Sequence, residues 1–229
     1  MTDLHTHILY NVDDGSKSFE ESLEMINKLS FLGFDKIIST SHFIEGTSYC
    51  ADNEVRGQLL LELQKHTDVK LYLSNEIFIN PYIDEYIDNN YIMPINKNTL
   101  LIELPMSSEL KDALDILYEL KTKGFRIILA HPERYTYFQD KYSLIDKFKE
   151  YDILFQCNFG SIIGLYGHNA EKLMKYLLKK GWVDYLGSDV HRANSTFFNN
   201  FAKIEKHIIK YVGKDGYEQI IKNGDSLVS

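Results

Sequence analysis

The sequence predicts an α/β fold of parallel strands, and three observations carry that reading. Short apolar, often β-branched runs alternate with longer helical patterns, no linker or compositional break divides the chain, and nearly every apolar run ends in a potential ligand side chain. Seven runs read as strands: Asp3–His5, Lys36–Ser41, Val69–Ser74, Thr99–Leu104, Arg126–Ala130, Ile153–Cys157 and Val183–Gly187. Strand and helix alternating in this way imply parallel strands joined by helical crossovers, either an open doubly wound sheet or a barrel. Of the two, the barrel is favoured, and 229 residues suit a single domain spanning 1–229.

Each crossover has its own signature. After the first strand, Ser18 and Glu21 form a capping box, and Phe19, Leu23, Ile26 and Leu29 recur at helical spacing until Gly33. Leu110, Leu114, Leu117 and Leu120 run in the same way to Gly124, and Leu173, Met174 and Leu177 run to Gly181. Such stripes are the core-facing sides of helices.

Composition narrows the function. With 25 Lys+Arg against 33 Asp+Glu the net charge is −8, which repels nucleic-acid phosphates, so an anionic substrate has to be attracted locally. Two cysteines make no disulfide framework, residues 1–20 lack the basic start and apolar run of a signal peptide, and no stretch of about 18 apolar residues occurs. A cytoplasmic protein without membrane insertion and without a nucleic-acid partner is expected.

The strand ends carry the chemistry: His5 and His7, His42, Glu76, Glu103, His131, Asn158, then Asp189 with His191. In a parallel barrel these ends meet on one face, where such enzymes place their active sites. Five of the eight histidines stand there. A lone His would more often be structural, whereas five with two carboxylates and two i, i+2 pairs point to metal, since alternate strand residues face one side. Asp14, in an Asp-Gly turn leaving the first strand, is a further oxygen donor. Four anionic ligands (Asp14, Glu76, Glu103, Asp189) against three divalent ions leave +2, or +1 with a bridging hydroxide, a local cationic pocket suited to a phosphate ester. Nitrogen and oxygen donors without thiolate fit Mn, Fe or Zn. Of four arginines, Arg134 and Arg192 lie three and one residues past such a His, and the guanidinium fork suits phosphate. The spacing Cys50-x5-Arg56 matches that of cysteine-dependent phosphatases, but it holds Asp52 and Glu54 and no glycine, so it is read as coincidence.

Asp3-Leu-His5-Thr-His7, Val12-Asp-Asp-Gly15, Thr40-Ser-His42, Asn75-Glu76, Leu101-Ile-Glu103-Leu, Ala130-His131-Pro-Glu-Arg134-Tyr135 and Gly187-Ser-Asp189-Val-His191 resemble the PHP (polymerase and histidinol phosphatase) family. Within it they are most similar to the manganese-dependent bacterial tyrosine-protein phosphatases of capsule and exopolysaccharide synthesis, because Asp14 and Glu103 stand where many other members carry histidines. The match runs from residue 3 to about 191 and includes Gln156-Cys-Asn158 and Gly164-Leu-Tyr-Gly167. The resemblance implies a distorted (β/α)7 barrel with three divalent ions, manganese foremost and iron or zinc as alternatives. His5, His7, Glu76 and Asp189 would hold one ion, Glu76 would bridge to a second held by Glu103 and His131, and Asp14, His42 and His191 would hold the third. A bridging hydroxide would attack phosphorus, with Arg134 on the phosphate. Relatives often carry another phosphate-binding Arg a few residues after His191; Arg192 either replaces it or the contact is missing. The implied substrate is the phosphorylated tail of a bacterial tyrosine kinase. Competing readings are a small-molecule PHP phosphoesterase, such as a histidinol-phosphate phosphatase, and a non-catalytic module docking on a kinase. Phe43, Tyr135 and Tyr166 are candidates to pack on a substrate ring. The sequence leaves the oligomeric state open.

Overall fold

The structure, a computed structural model, describes residues 1–228. In chain order its elements are β1 (Thr2–Thr6), α1 (Phe19–Phe31), β2 (Lys36–Ser39), β3 (His42–Phe43), α2 (Asn53–Gln64), β4 (Lys70–Leu73), β5 (Glu76–Phe78), α3 (Ile83–Asp88), β6 (Thr99–Glu103), α4 (Ala113–Thr122), β7 (Arg126–Ala130), α5 (Thr136–Asp140), α6 (Ser143–Glu150), β8 (Leu154–Asn158), α7 (His168–Lys180), β9 (Tyr185–Gly187) and α8 (Thr196–Asp225). The last is two helices meeting at Gly213, whose φ of 73° no helix contains. Among the described residues no helix is long and apolar enough to cross a membrane.

All paired strands are parallel. They form a sheet in the order β1-β2-β4 and a curled sheet in the order β3-β5-β6-β7-β8-β9. The two sheets are one wall. β2 resumes as β3 and β4 resumes as β5 after two residues, while the Asp189 amide on the His5 carbonyl (2.8 Å) and the His7 amide on the Val190 carbonyl (3.1 Å) join β1 to the end of β9. Seven staves therefore close a distorted barrel, and two of them are broken. The predicted runs Lys36–Ser41 and Val69–Ser74 cover the lower halves only. The short upper halves fall beyond the apolar runs, so composition does not mark them.

Strand alternation divides the apolar residues into two layers. Ile37, Leu100, Ile102, Ile127, Leu129, Phe155 and Leu186 pack outward against Met25, Ile26, Leu29, Leu117 and Leu177 of the predicted helical stripes. Leu4, Ile38, Leu101, Ile128, Ala130 and Tyr185 form a separate inner cluster with Ile95, Leu227 and Val228. Burial of this outer layer is the main stabilising contribution, at about 25 cal/mol per Å² of apolar surface. Lys36 Nζ on the Val228 carbonyl (2.7 Å) and Thr2 Oγ1 on Asp225 (2.7 Å) fasten the C-terminal segment across the starts of β1 and β2. One end of the barrel is thus filled with apolar side chains, and the polar residues gather at the other.

Candidate metal centre

Alternation continues past the inner apolar layer: Leu101 is followed on its face by Glu103, Leu154 by Gln156, Tyr185 by Gly187. Backbone conformation aims the rest. His131 and Asp189 have φ of 33° and 53°, a left-handed turn that points each side chain inward from the end of its strand. Gly187 leaves the space His5 occupies, since a Cβ there would lie 2.6 Å from the His5 Cβ and 2.9 Å from Gln156 Nε2.

Nine predicted ligands come together. Glu76 sits at the centre, buried: its Oε2 lies 3.0 Å from His5 Nε2, 3.3 Å from His7 Nε2 and 3.1 Å from His42 Nδ1, and its Oε1 2.7 Å from His131 Nε2. Asp189 Oδ1 faces His5 and His7 at 3.6 and 3.5 Å. Asp14, half exposed at the mouth, faces His42 at 3.5 Å and His191 at 3.4 Å. Glu103 lies 3.7 Å from His131 and 3.8 Å from His42. The donor atoms fall into overlapping groups, each within 4.8 Å: His7, Asp14, His42 and His191; His5, His7 and Asp189; His5, Glu76 and His131; His42, Glu76 and Glu103.

This donor set fits divalent cations. Asp13 Oδ2 takes the Nδ1 hydrogen of His7 (2.8 Å), Gln156 Oε1 that of His5 (2.8 Å) and the Asp189 carbonyl that of His191 (3.0 Å), so each ring turns an Nε2 lone pair inward. The Nε2 atoms of His5 and His7 then stand 3.2 Å apart, a repulsive contact without a cation or proton between them. Glu76 Oε2 is buried with no hydrogen-bond partner. Burial, together with the charges of Glu76 and Asp189, pushes the Glu103 carboxyl up to about 9, and burial with Arg134 pushes His131 down to about 4. Burial opposes ionisation of Glu76 as well, but His5 and His42 outweigh it and hold the carboxyl well below its usual range. Glu76, Glu103 and Asp189, three buried carboxyls with Asp14 at the mouth beside them, are fully ionised only with positive charge among them.

Sequence reading missed the supports. Asp13, which in the sequence is only part of the Val12-Asp-Asp-Gly15 motif, is buried and also accepts the His42 and Gly15 amides at 3.0 and 2.9 Å. Asn158 is engaged by its neighbours: its Nδ2 donates to Asp189 Oδ2 (2.7 Å) and its Oδ1 accepts from Gln156 Nε2 (2.9 Å). Buried Glu133 accepts the Asn158 amide and the Ser161 hydroxyl, bracing that strand end. The only available signal was their nearness to ligands in the chain.

The two arginines part company. Arg134 lines the cavity above the cluster, with Nη1 on Asp189 Oδ2 (2.6 Å) and its guanidinium 4.7 Å from the Tyr166 ring centre. Arg192 is turned away, paired with Glu21 at 3.0 Å. The cavity measures about 330 Å³, and its apolar wall is Ile44, Tyr49, Phe78 and Met106, with the Tyr49 ring stacked on His42. None of the three aromatic candidates forms that wall: Phe43 packs on Tyr86, Tyr135 is buried with its hydroxyl on the Ala130 carbonyl, and Tyr166 covers Arg134. Cys50 is exposed and bonded to the Ile44 carbonyl. A larger groove, about 580 Å³, between α1 and the start of α8 is lined by Glu20, Glu24, Lys28 and apolar side chains and contains no histidine.

A parallel barrel with overlapping groups of histidine and carboxylate donors at one mouth defines a metal-dependent hydrolase of the PHP type. The chain belongs to the family described as capsular polysaccharide synthesis, CpsB/CapC, which matches residues 1–229. It is 32% identical over 236 residues to the putative tyrosine-protein phosphatase CapC of Staphylococcus aureus, covering 100% of this chain and 91% of that protein. It is 28% identical over 205 residues to the tyrosine-protein phosphatase YwqE of Bacillus subtilis, covering 87% and 80%. Among solved structures it is similar, with a TM-score of 0.87 and 26% identity over 99% of this chain and 94% of the other, to a chain from the study of YwqE from Bacillus subtilis and CpsB from Streptococcus pneumoniae, described as unique metal-dependent tyrosine phosphatases.

Proposed function

We propose that this chain, as one domain over residues 1–229, hydrolyses phosphotyrosine on proteins with divalent metal ions held by His5, His7, Asp14, His42, Glu76, Glu103, His131, Asp189 and His191. The observation that carries the reading is the ligand cluster at the floor of a narrow cavity with an apolar wall. Three cations, of manganese, iron or zinc, suit the number and chemistry of these donors. When bound, they neutralise charge on phosphoryl oxygens and lower the pKa of water.

The chain's own residues do the rest. Arg134, steadied by Tyr166 and Asp189, donates to the phosphoryl group at the cavity edge. Arg192 stays in its pair with Glu21. Ile44, Tyr49, Phe78 and Met106 take the aryl ring, which gives the phosphate enough reach to arrive at the floor; a serine side chain is too short to use this wall. The leaving oxygen is a phenol of pKa about 10, a better leaving group than an alkyl alcohol. The substrate is placed on a flexible, tyrosine-phosphorylated kinase tail controlling capsule or exopolysaccharide synthesis, in the cytoplasm, where the two free cysteines are at home.

The test compares kcat/KM on matched phosphotyrosine and phosphoserine peptides and on histidinol phosphate, with Mn²⁺ restored after chelation. Phosphotyrosine should lead phosphoserine by at least about tenfold, or about 1.4 kcal/mol. Equal rates on the two peptides, a preference for histidinol phosphate, or full activity after metal removal would refute the reading.

A further inference from the structure

Arg56 has no part in the chemistry above, yet among the described residues it is the largest fully buried side chain. It turns inward from α2 and meets only neutral oxygens. Nη1 donates to Asn53 Oδ1 (2.7 Å) and Asn75 Oδ1 (2.9 Å), Nη2 donates to the Ser74 carbonyl, and Nε has no partner. Burial lowers its pKa to about 10, with Asp13 acting the other way, so the guanidinium stays charged at neutral pH. Keeping a buried cation without a carboxylate is costly, and a fold that needed only volume there would use an apolar side chain.

Its acceptors explain it. The breaks between β2 and β3 (Thr40, Ser41) and between β4 and β5 (Ser74, Asn75) lie side by side. The Ser74 amide bonds to the Ser39 carbonyl (2.8 Å), the Glu76 amide to the Thr40 carbonyl (3.0 Å), and Asn75 Nδ2 to the Ser41 carbonyl (3.1 Å). The first residues after the two breaks are His42 and Glu76, paired in register. Few ladder bonds cross the breaks, and Ser74 and Asn75 are secured in addition by the guanidinium and by the Met93 backbone, whose carbonyl accepts the Ser74 hydroxyl (3.0 Å) and whose amide donates to Asn75 Oδ1 (2.9 Å). A planar fork of donors can serve a backbone carbonyl and a side-chain carbonyl together.

We infer that Arg56 is a positioning residue of the metal centre: through Ser74 and Asn75 it holds the paired strand breaks that aim His42 and Glu76 at each other. The inference rests on the metal-centre reading. Methionine at position 56 would fill the space but leave the Ser74 carbonyl unpaired and hold Asn75 only through the Met93 amide and the Ser41 carbonyl. Lysine would keep the charge and a donor.

The test measures Mn²⁺ affinity and stoichiometry, by chelator competition and elemental analysis, on the full chain carrying Arg56→Met or Arg56→Lys. Leu177→Ala, in the outer core layer, serves as a control for general destabilisation. Arg56→Met should bind Mn²⁺ at least about tenfold more weakly, Arg56→Lys should come back to within about threefold of wild type, and Leu177→Ala should bind normally despite a lower melting temperature. If Arg56→Met does not fold, Asn75→Ala carries the same test, because Arg56 keeps its bonds to Asn53 and Ser74 there; a loss of at least about tenfold is again expected. A folded Arg56→Met or Asn75→Ala with wild-type affinity and stoichiometry overturns the inference. So does an equal affinity loss in Leu177→Ala, or no recovery with lysine. Wild-type protein that binds no Mn²⁺ would instead refute the metal-centre reading itself, before any variant is compared.

Discussion

Replacing Asp13 by asparagine tests whether the residues behind the ligands set the metal affinity. The carboxylate accepts three hydrogen bonds at once, from His7 Nδ1 (2.8 Å), the His42 amide (3.0 Å) and the Gly15 amide (2.9 Å). An asparagine of the same size has one acceptor oxygen and one NH₂ group. With the oxygen towards Gly15, the NH₂ opposes two donors; turned over, it opposes one. Either way a buried donor faces a donor, and the bond that fixes the His7 tautomer loses its charge. A charge-assisted bond is worth about 1.5–3 kcal/mol, and losing a partner behind a metal ligand typically costs about 10–100-fold in affinity, which agree. Mn²⁺ affinity, read by competition with a metallochromic chelator, should therefore fall by about 10–100-fold in Asp13→Asn. Excess Mn²⁺ should restore most of the activity, because the ligands themselves remain. Wild-type affinity in a folded Asp13→Asn protein would show that the histidine orientations are fixed elsewhere, and the reasoning would fail.

Other consequences are as direct. Gly187→Ala puts a methyl group against His5 and Gln156, so it should lower Mn²⁺ affinity at least about tenfold, checked by elemental analysis after gel filtration. Arg134→Ala should cut kcat/KM by about 10²-fold with metal content unchanged, since Asn158 still holds Asp189; metal lost together with activity would make Arg134 a support for the cluster. Cys50→Ser should leave turnover near wild type, and trapping a phosphocysteine would contradict the proposed chemistry. pH acts through the raised groups. Glu103 is pushed up by burial and its carboxylate neighbours to about 9, and in His5 and His7 burial is outweighed, by Glu76 and Asp189 for His5 and chiefly by Asp13 for His7, so both also stand above their usual value. Folded-state pKa values above the unfolded ones stabilise at low pH and lose that contribution as pH rises through them, whereas the lowered values of His42 and His131 act only below about 6.5. Metal-free protein should thus melt at falling temperatures from pH 7 to 9, while Mn²⁺ affinity rises as protons leave; scanning calorimetry with and without Mn²⁺ checks both.

The strand ends were legible because barrel topology and ligand chemistry coincide there: His5, His7, His42, Glu76, Glu103, His131, Asp189 and His191 all follow or end apolar runs. The helical stripes were legible for the same reason that they pack, a period matched to one buried face. The breaks before His42 and Glu76 were not, because register is a relation between strands and leaves no periodic trace in either. Nor was the division of labour between Asp13 and Asp14, identical neighbours of which one is buried behind His7 and the other half exposed at the mouth. Aromatic residues misled in a similar way: Phe43 and Tyr135 stand one and four positions from ligand histidines, yet strand alternation after His42 and the turn after His131 send them into the core, and the cavity wall comes from Ile44, Tyr49, Phe78 and Met106.

The segment ending in Leu227 and Val228 stops one end of the barrel, and with it one possible exit. On the proposed reading the severed phosphate lies on the floor beneath the tyrosine ring, and both have to leave by the same mouth. The order of departure is then fixed, with the tyrosine chain first and phosphate second. The last product to leave is the one that returns to the empty enzyme, so inorganic phosphate should raise KM for a phosphopeptide without lowering kcat. A catalyst plugged at its base is in this way slowed by the phosphate concentration of its surroundings, with no regulatory site required.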